Sequence, residues 1–204
     1  MTDAEKDAIR NAIKQASPLP TWNERKQVLS LLPAWKHFIG HEVGHAVAAI
    51  ALGGVVKWVS VDPVFLKNER VDLSKTPAQC RMDGFANNED MFTAGMAGEQ
   101  GDRVFTKTDA PFGVERDVEK IKTAVGDSLV DVPCSRPDLD SLSEGVSKIA
   151  IAKATIAAGA LFKHPSIIEA VRKAAAELKE KGTLTGDELK QIIASEITDW
   201  QSNP

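Results

Sequence analysis

The sequence has little of what marks several common classes of protein. It has only two cysteines, Cys80 and Cys134. Neither lies at a spacing typical of a metal site, so we expect reduced, inert thiols in a cytoplasmic protein. It has no Walker-type phosphate-binding loop, and its 204 residues are too few for an ATPase module beside another domain. It also lacks excess positive charge, with 25 Lys and Arg against 29 Asp and Glu, so we expect no nucleic-acid partner.

Long hydrophobic runs are missing as well. The two longest apolar stretches cover residues 46–56 and 149–162; the first is too short to span a membrane, and Lys153 interrupts the second. The first seven residues are acidic and polar, so we expect neither a signal peptide nor membrane association. The composition, with 43% hydrophobic and 26% charged residues, is typical of one globular domain with a hydrophobic core.

Hydrophobic periodicity and capping residues predict a mainly helical α+β domain with a small sheet. The predicted helices cover residues 3–15, 21–32, 33–52, a stretch from 88, a stretch opening at 117, 137–162, 165–182 and 185–197. The predicted strands are 55–61, a β-branched run that Asp62 and Pro63 end, and 81–86. We treat residues 1–32 as an N-terminal helical segment of unknown role and residues 33–204 as the main domain.

Apolar residues in the last third of the chain recur at helical spacing. We predict that they are core positions of a C-terminal helical bundle. They are Ile149, Ile156, Leu161, Ile167, Ile168, Val171 and Leu178.

The feature that carries chemistry is the segment 41–45, His-Glu-Val-Gly-His, on the predicted helix 33–52. Because residues four apart lie one turn apart on nearly the same face, His41 and His45 can bind one metal ion together. Neutral imidazole favours zinc, and we expect one Zn²⁺ per chain. Glu42 follows the first ligand, where its carboxylate can take a proton from a zinc-bound water without binding the metal. The sequence therefore predicts a catalytic zinc site with Glu42 as general base.

The two histidines supply only two of the three protein ligands that such a site needs. The positions of the remaining acidic and histidine residues along the chain do not identify the third ligand. The candidates are Asp90, Glu99, Asp102, Asp117 and His164. Glu99 and Asp102 lie three residues apart on a predicted helix, whereas Asp117 opens a helix after a turn. His37 lies one turn before His41 on the same face, and we interpret it as an ordinary helix-surface histidine.

The segment 41–47 resembles the His-Glu-Ala-Gly-His-Ala motif of the FtsH family, the membrane-bound AAA+ zinc metalloproteases. Further similar segments follow in the family's order between residues 33 and 197: the strand 55–61, Ala-Gly-Met-Ala-Gly-Glu at 94–99, Gly-Val-Glu-Arg-Asp-Val-Glu at 113–119, and the turn and helix from 180. The resemblance implies a zinc peptidase domain over 33–204 with a zincin-like active-site helix. It also implies that Asp117 is the third zinc ligand and that Glu99 packs behind the site in a supporting role.

The chain departs from the family at Met96, where the family has arginine, and at residues 65–79, which have no counterpart. The sequence also contains no AAA+ module or membrane helices. We therefore expect an ATP-independent zinc metalloendopeptidase that hydrolyses unfolded or flexible polypeptides, or that works with a separate unfoldase. We expect the substrate to lie along strand 55–61 as an added edge strand. The sequence leaves open whether the chain forms a homo-oligomer, as members of the family do in their hexameric rings.

Two alternative functions also stay open. A regulatory peptidase with a single protein target would use the same residues. A catalytically silent zinc-bound scaffold would bind partners through its C-terminal helices. Glu42 argues against the scaffold, because a structural zinc site needs no such carboxylate and fills its fourth position with a protein ligand.

Overall fold

A computed structural model describes residues 34–63, 66, 78–107, 114–129 and 136–203 of the chain. These residues form, in order, α1 (Ala34–Ala51), β1 (Val55–Val61), β2 (Ala78–Asp83), α2 (Asn88–Thr106), α3 (Val114–Ser128), α4 (Arg136–Leu161), α5 (Pro165–Lys181), β3 (Thr183–Thr185), α6 (Gly186–Ile192) and α7 (Ala194–Ser202). The prediction of a mainly helical α+β fold with a small sheet is confirmed. The helices predicted at 3–15 and 21–32 lie outside the described residues. Within the described ranges, no single helix is both long and apolar enough to cross a membrane.

Helix α1 is the central helix of the fold, and glycines bring it unusually close to α2. Its apolar side chains are buried, with Ile39 and Val43 both 0% exposed. A Cβ atom on Gly101 of α2 would lie 2.3 Å from the carbonyl oxygen of Gly40 and 2.4 Å from the Cα of Gly44. Since no side chain fits in that space, the two helix backbones meet directly. This contact sets the position of the histidine-bearing helix against α2.

The sheet has three antiparallel strands in the order β2-β1-β3, so β1 is its central strand. It pairs with β2 along its whole length, from Val55 opposite Asp83 to Val61 opposite Ala78. On its other side, residues 58–60 pair with β3. The expectation that a substrate adds to the sheet along 55–61 is therefore wrong, because the middle of β1 is already paired on both sides.

Three other details of the predicted elements are wrong. The second strand runs from Ala78 to Asp83 instead of 81–86, because Gly84 leaves the extended conformation at a φ of 71°. Strand β3, only three residues long, has no counterpart in the prediction. The predicted helix 185–197 is two helices, α6 and α7, which meet at Ile193.

The predicted bundle core is only partly confirmed. Leu161 and three residues of α5 are buried: Ile167, Val171 and Leu178. Ile168 is half-buried. Ile149 and Ile156 of α4 are 45% and 42% exposed, so their prediction as core residues is wrong. Helix α4 instead buries small residues, including Ala154 and Ala158, and turns these two large side chains outward.

Candidate metal centre

Three buried side chains from two helices meet at one point. His41 and His45 come from α1, and Asp117 comes from the first turn of α3. Asp117 Oδ2 lies 3.0 Å from His41 Nε2 and 3.2 Å from His45 Nε2. The two Nε2 atoms lie 3.0 Å apart. The side chains of His41, His45 and Asp117 are 8%, 5% and 6% exposed, and together they could hold a metal ion.

The two imidazoles converge at the centre, and a neighbouring carbonyl fixes the orientation of the His45 ring. Their rings lie edge to face, with centroids 4.6 Å apart. Nδ1 of His45 lies 2.8 Å from the carbonyl oxygen of Ala94. Because a carbonyl oxygen only accepts, Nδ1 donates, and in the neutral ring the lone pair is then on Nε2. That is the atom directed at Asp117 and His41, which is the arrangement that a metal-binding histidine requires.

Gly98 of α2 keeps the centre clear of side chains. A Cβ atom at this position would lie 2.5 Å from His41 Cε1, 2.6 Å from His45 Nε2 and 2.7 Å from His41 Nε2. No real Cβ contact is that short, so a side chain here would displace the imidazoles. A space bounded by three converging polar atoms, and kept open by a glycine, fits a bound cation.

The electrostatics of the centre also favour a cation. Burial raises the pKa of Asp117, but the charge of His45 and hydrogen bonds from both histidines outweigh burial and hold it well below its usual range. Burial lowers the pKa of His45, but the charge and hydrogen bond of Asp117, followed by the charge of Glu42, outweigh it and raise that pKa to about 9. Without metal, His45 therefore retains a proton beside Asp117, and a divalent cation would replace it.

Glu42 lies beside this group without joining it. It follows His41 on α1 and is half-buried. Its negative charge contributes to the raised pKa of His45 and, after burial, to the raised pKa of the Cys80 thiol. The negative charge of Glu42 therefore acts on both His45 and Cys80. Cys80 is a free cysteine that stays protonated, and Cys134 lies outside the described residues.

The other third-ligand candidates lie away from the centre. The carboxylate of Glu99 accepts a hydrogen bond from Arg103 at 2.6 Å. Asp90 accepts one from Asn87 at the start of α2, and His164 caps the start of α5. The structure thus brings only Asp117, of the five candidates, together with the two histidines.

His37 and the fifth candidate, Asp102, form a separate buried pair. Nδ1 of His37 lies 2.9 and 3.0 Å from the two carboxylate oxygens of Asp102, and both side chains are 1% exposed. The interpretation of His37 as a helix-surface histidine is therefore wrong. Helix α2 covers this face of α1, because glycines let the helices approach, and the sequence of α1 alone does not show this.

A cavity of about 490 Å³ adjoins the centre at Asp117. Its lining is mostly apolar and comes from β2, the loop that follows it, α2 and α3. The main apolar residues are Met82, Phe85, Met91, Phe92, Ile121 and Ala124, with Lys120 beside Asp117. The sequence does not show this cavity, because its walls come from two stretches of the chain, 82–95 and 117–124, that no local pattern joins.

Comparison with known proteins adds nothing to this geometry. No family model matches the chain, and no curated protein matches it. The resemblance to the FtsH family therefore stays a prediction, and the centre is defined by the side chains of His41, His45 and Asp117.

Proposed function

We propose that the protein is a zinc metallopeptidase that hydrolyses unfolded or flexible polypeptides without ATP. The observation that carries this proposal is the buried convergence of His41, His45 and Asp117, with Glu42 beside them but outside the ligand set. Catalytic zinc sites have three protein ligands and one open position, whereas structural sites have four protein ligands. In the part of the chain that the structure describes, no fourth His, Cys, Asp or Glu joins this group.

The dimensions and chemistry of the group support zinc. Ligand atoms about 2.0–2.2 Å from a tetrahedral ion lie about 3.3 Å from one another. The three atoms of the centre lie 3.0, 3.0 and 3.2 Å apart. Two imidazoles and one carboxylate suit zinc, whereas calcium and magnesium prefer all-oxygen sites.

The proposed mechanism gives each side chain one role. His41, His45 and Asp117 hold the ion, and the Ala94 carbonyl fixes the ring of His45. When bound, zinc supplies the Lewis acidity that activates water and polarises the scissile carbonyl. Glu42 takes the proton from the attacking water and passes it to the leaving amine.

Strand β2 is the strand that supports a substrate site. It is an outer strand of the sheet among the described residues, and Cys80, near Glu42, belongs to it. An extended peptide that adds to β2 would run past the metal centre. The cavity lined by Met82, Phe85 and Ile121 would then receive an apolar side chain of the peptide.

Zinc stoichiometry and proteolysis together test this proposal. We expect wild-type protein to bind one zinc after dialysis and to cleave casein, and we expect His45→Gln and Asp117→Asn to lose both properties. His164→Gln is the matched control, since His164 caps α5 outside the centre. If wild type binds no zinc, or if His45→Gln and His164→Gln bind it equally, the assignment of the centre is wrong.

A further inference from the structure

We propose that Lys120 is a positioning residue that holds Asp117 as a one-oxygen ligand and so keeps one position of the metal centre open. The inference rests on the metal centre proposed above. It concerns which carboxylate oxygens of Asp117 bind the metal, and not whether Asp117 is a ligand.

The two oxygens of Asp117 face different partners. Oδ2 faces the histidines, 3.0 Å from His41 Nε2 and 3.2 Å from His45 Nε2. Oδ1 lies 3.2 Å from Nζ of Lys120, which follows Asp117 by three residues on α3. The Asp117 side chain is 6% exposed and that of Lys120 is 70% exposed, so the carboxylate is enclosed and the ammonium group lies at its solvent side.

The number of carboxylate oxygens that bind the metal decides whether a four-coordinate ion retains an open position. Two imidazoles and both oxygens of Asp117 would fill four positions, so that a bound water would then make the ion five-coordinate. Two imidazoles and Oδ2 alone leave one position open. An ammonium group that donates to Oδ1 competes for that oxygen and leaves Oδ2 as the ligand atom.

An exposed lysine pair is ordinarily weak. Here it only needs to bias an enclosed carboxylate between two binding modes, since the histidines already select Oδ2. A difference of about 1.4 kcal/mol between the modes already favours one of them tenfold.

The same helix supplies a matched control. Lys122 donates to Glu119 at 2.6 Å, again across three residues, and the two side chains are 49% and 67% exposed. This pair has the same spacing and charge as the Lys120–Asp117 pair, but Glu119 is not part of the metal centre. Lys122→Met therefore removes the same positive charge from α3 without changing a partner of a ligand.

The experiment loads Co²⁺ into wild type, Lys120→Met, Lys120→Arg and Lys122→Met, and compares their visible absorption. Four-coordinate Co²⁺ absorbs more strongly than five-coordinate Co²⁺, so the intensity reports a change in coordination number. We expect wild type, Lys120→Arg and Lys122→Met to share strong bands, and Lys120→Met to lose intensity several-fold. Thermal melting of the metal-free proteins shows that each variant folds.

Zinc affinity separates this role from a purely structural one. Loss of a structural support would loosen zinc, whereas Lys120→Met removes a like charge beside the cation. We therefore expect its Kd for Zn²⁺ to stay the same or to fall by up to about tenfold.

Two results would overturn the inference. If Lys120→Met gives the wild-type spectrum, as Lys122→Met should, then Lys120 does not select the binding mode, although the metal centre itself stands. If wild type takes up neither Co²⁺ nor Zn²⁺, the inference and the metal centre both fail.

Discussion

Gly98 is the residue whose replacement tests the metal centre with the smallest chemical change. A Cβ atom at Gly98 would meet His41 and His45 atoms at 2.5–2.7 Å, whereas one at Gly95, three residues earlier, would meet only Ile121 at 3.8 Å or more. We expect Gly98→Ala to weaken zinc binding by about 10–100-fold, the usual range for disturbed support of metal ligands.

Gly95→Ala is the control for that change. It should bind zinc as wild type does and be up to about 1 kcal/mol more stable, since alanine favours a helix over glycine. Competition with a chelator gives the zinc affinity, and urea unfolding gives the stability. Equal zinc affinity in the two variants would contradict the proposed geometry.

The buried His37–Asp102 pair makes a separate prediction about stability. Asp102→Ala leaves the imidazole of His37 buried without that carboxylate, which should lower the free energy of unfolding by about 1–3 kcal/mol. Glu89→Ala, on the same helix with a side chain that is 84% exposed, should cost under about 0.5 kcal/mol. Urea unfolding of both variants measures the difference, and similar values would show that the pair does not join α1 to α2.

The raised pKa of His45 predicts how stability depends on pH. Its pKa is about 9 in the folded, metal-free protein, against an ordinary value of 6.5 for histidine. A raised pKa stabilises the fold fully below pH 6.5, and this contribution is lost as the pH rises through 9. The metal-free protein should therefore lose stability between pH 6.5 and 9, by at most about 1.4 kcal/mol per pH unit.

Urea unfolding in the presence of a chelator measures this loss. His45→Gln, which lacks the titrating group, should have a flatter profile over the same range. If the metal-free wild type instead gained stability towards pH 9 relative to His45→Gln, the assigned charge of His45 would be wrong.

At the scale of the elements, the sequence could predict the helices and strands whose ends are marked by residues next to them in the chain. Helix α1 lies between Pro33 and the turn at Gly53, and β1 is a β-branched run that ends before Pro63. The position of β1 inside the sheet depends on β3, which is only three residues long and lies more than 120 residues away. Local patterns do not show such pairings, so the sequence of β1 does not reveal that it is the central strand.

The candidate site was predictable to a similar extent. The spacing of His41 and His45 on one helix directly indicates a shared ligand position. Asp117 could be chosen only through the family resemblance, because its approach depends on how α3 packs. The roles of Gly98 and of His37 follow from the close contact of α1 with α2, which appears only in the folded structure.

Strand β2 should become protected when a peptide binds. Glu42→Gln, loaded with zinc and mixed with an uncleaved peptide, should show slower amide hydrogen exchange in Ala78–Asp83, because an added strand pairs with its outer edge. Strand β3, at the opposite edge of the sheet, is the internal control and should not change. Protection confined to β3 would place the peptide on the other side of the sheet.

At the scale of the whole molecule, the site lies where the best-packed elements meet. Helix α1 contacts β1, β2, α2 and α5, so its histidines are held by the core and not by a loop. The exposed Ile149 and Ile156 lie on α4, which carries none of the centre's residues. Apolar residues on several faces of α4 explain why periodicity did not show which side is buried.

A digestion of casein by three proteins tests the proposed peptidase activity and the proposed role of Glu42 as general base. Casein is digested by wild type, Glu42→Gln and Glu119→Gln, each carrying one zinc; Glu119 is an exposed carboxylate on α3. We predict that wild type and Glu119→Gln cleave alike and that Glu42→Gln is slower by about 10²–10⁴-fold, the usual contribution of a general base. Equal cleavage by Glu42→Gln, or no cleavage by zinc-loaded wild type, would show that the protein is not a peptidase with Glu42 as its base.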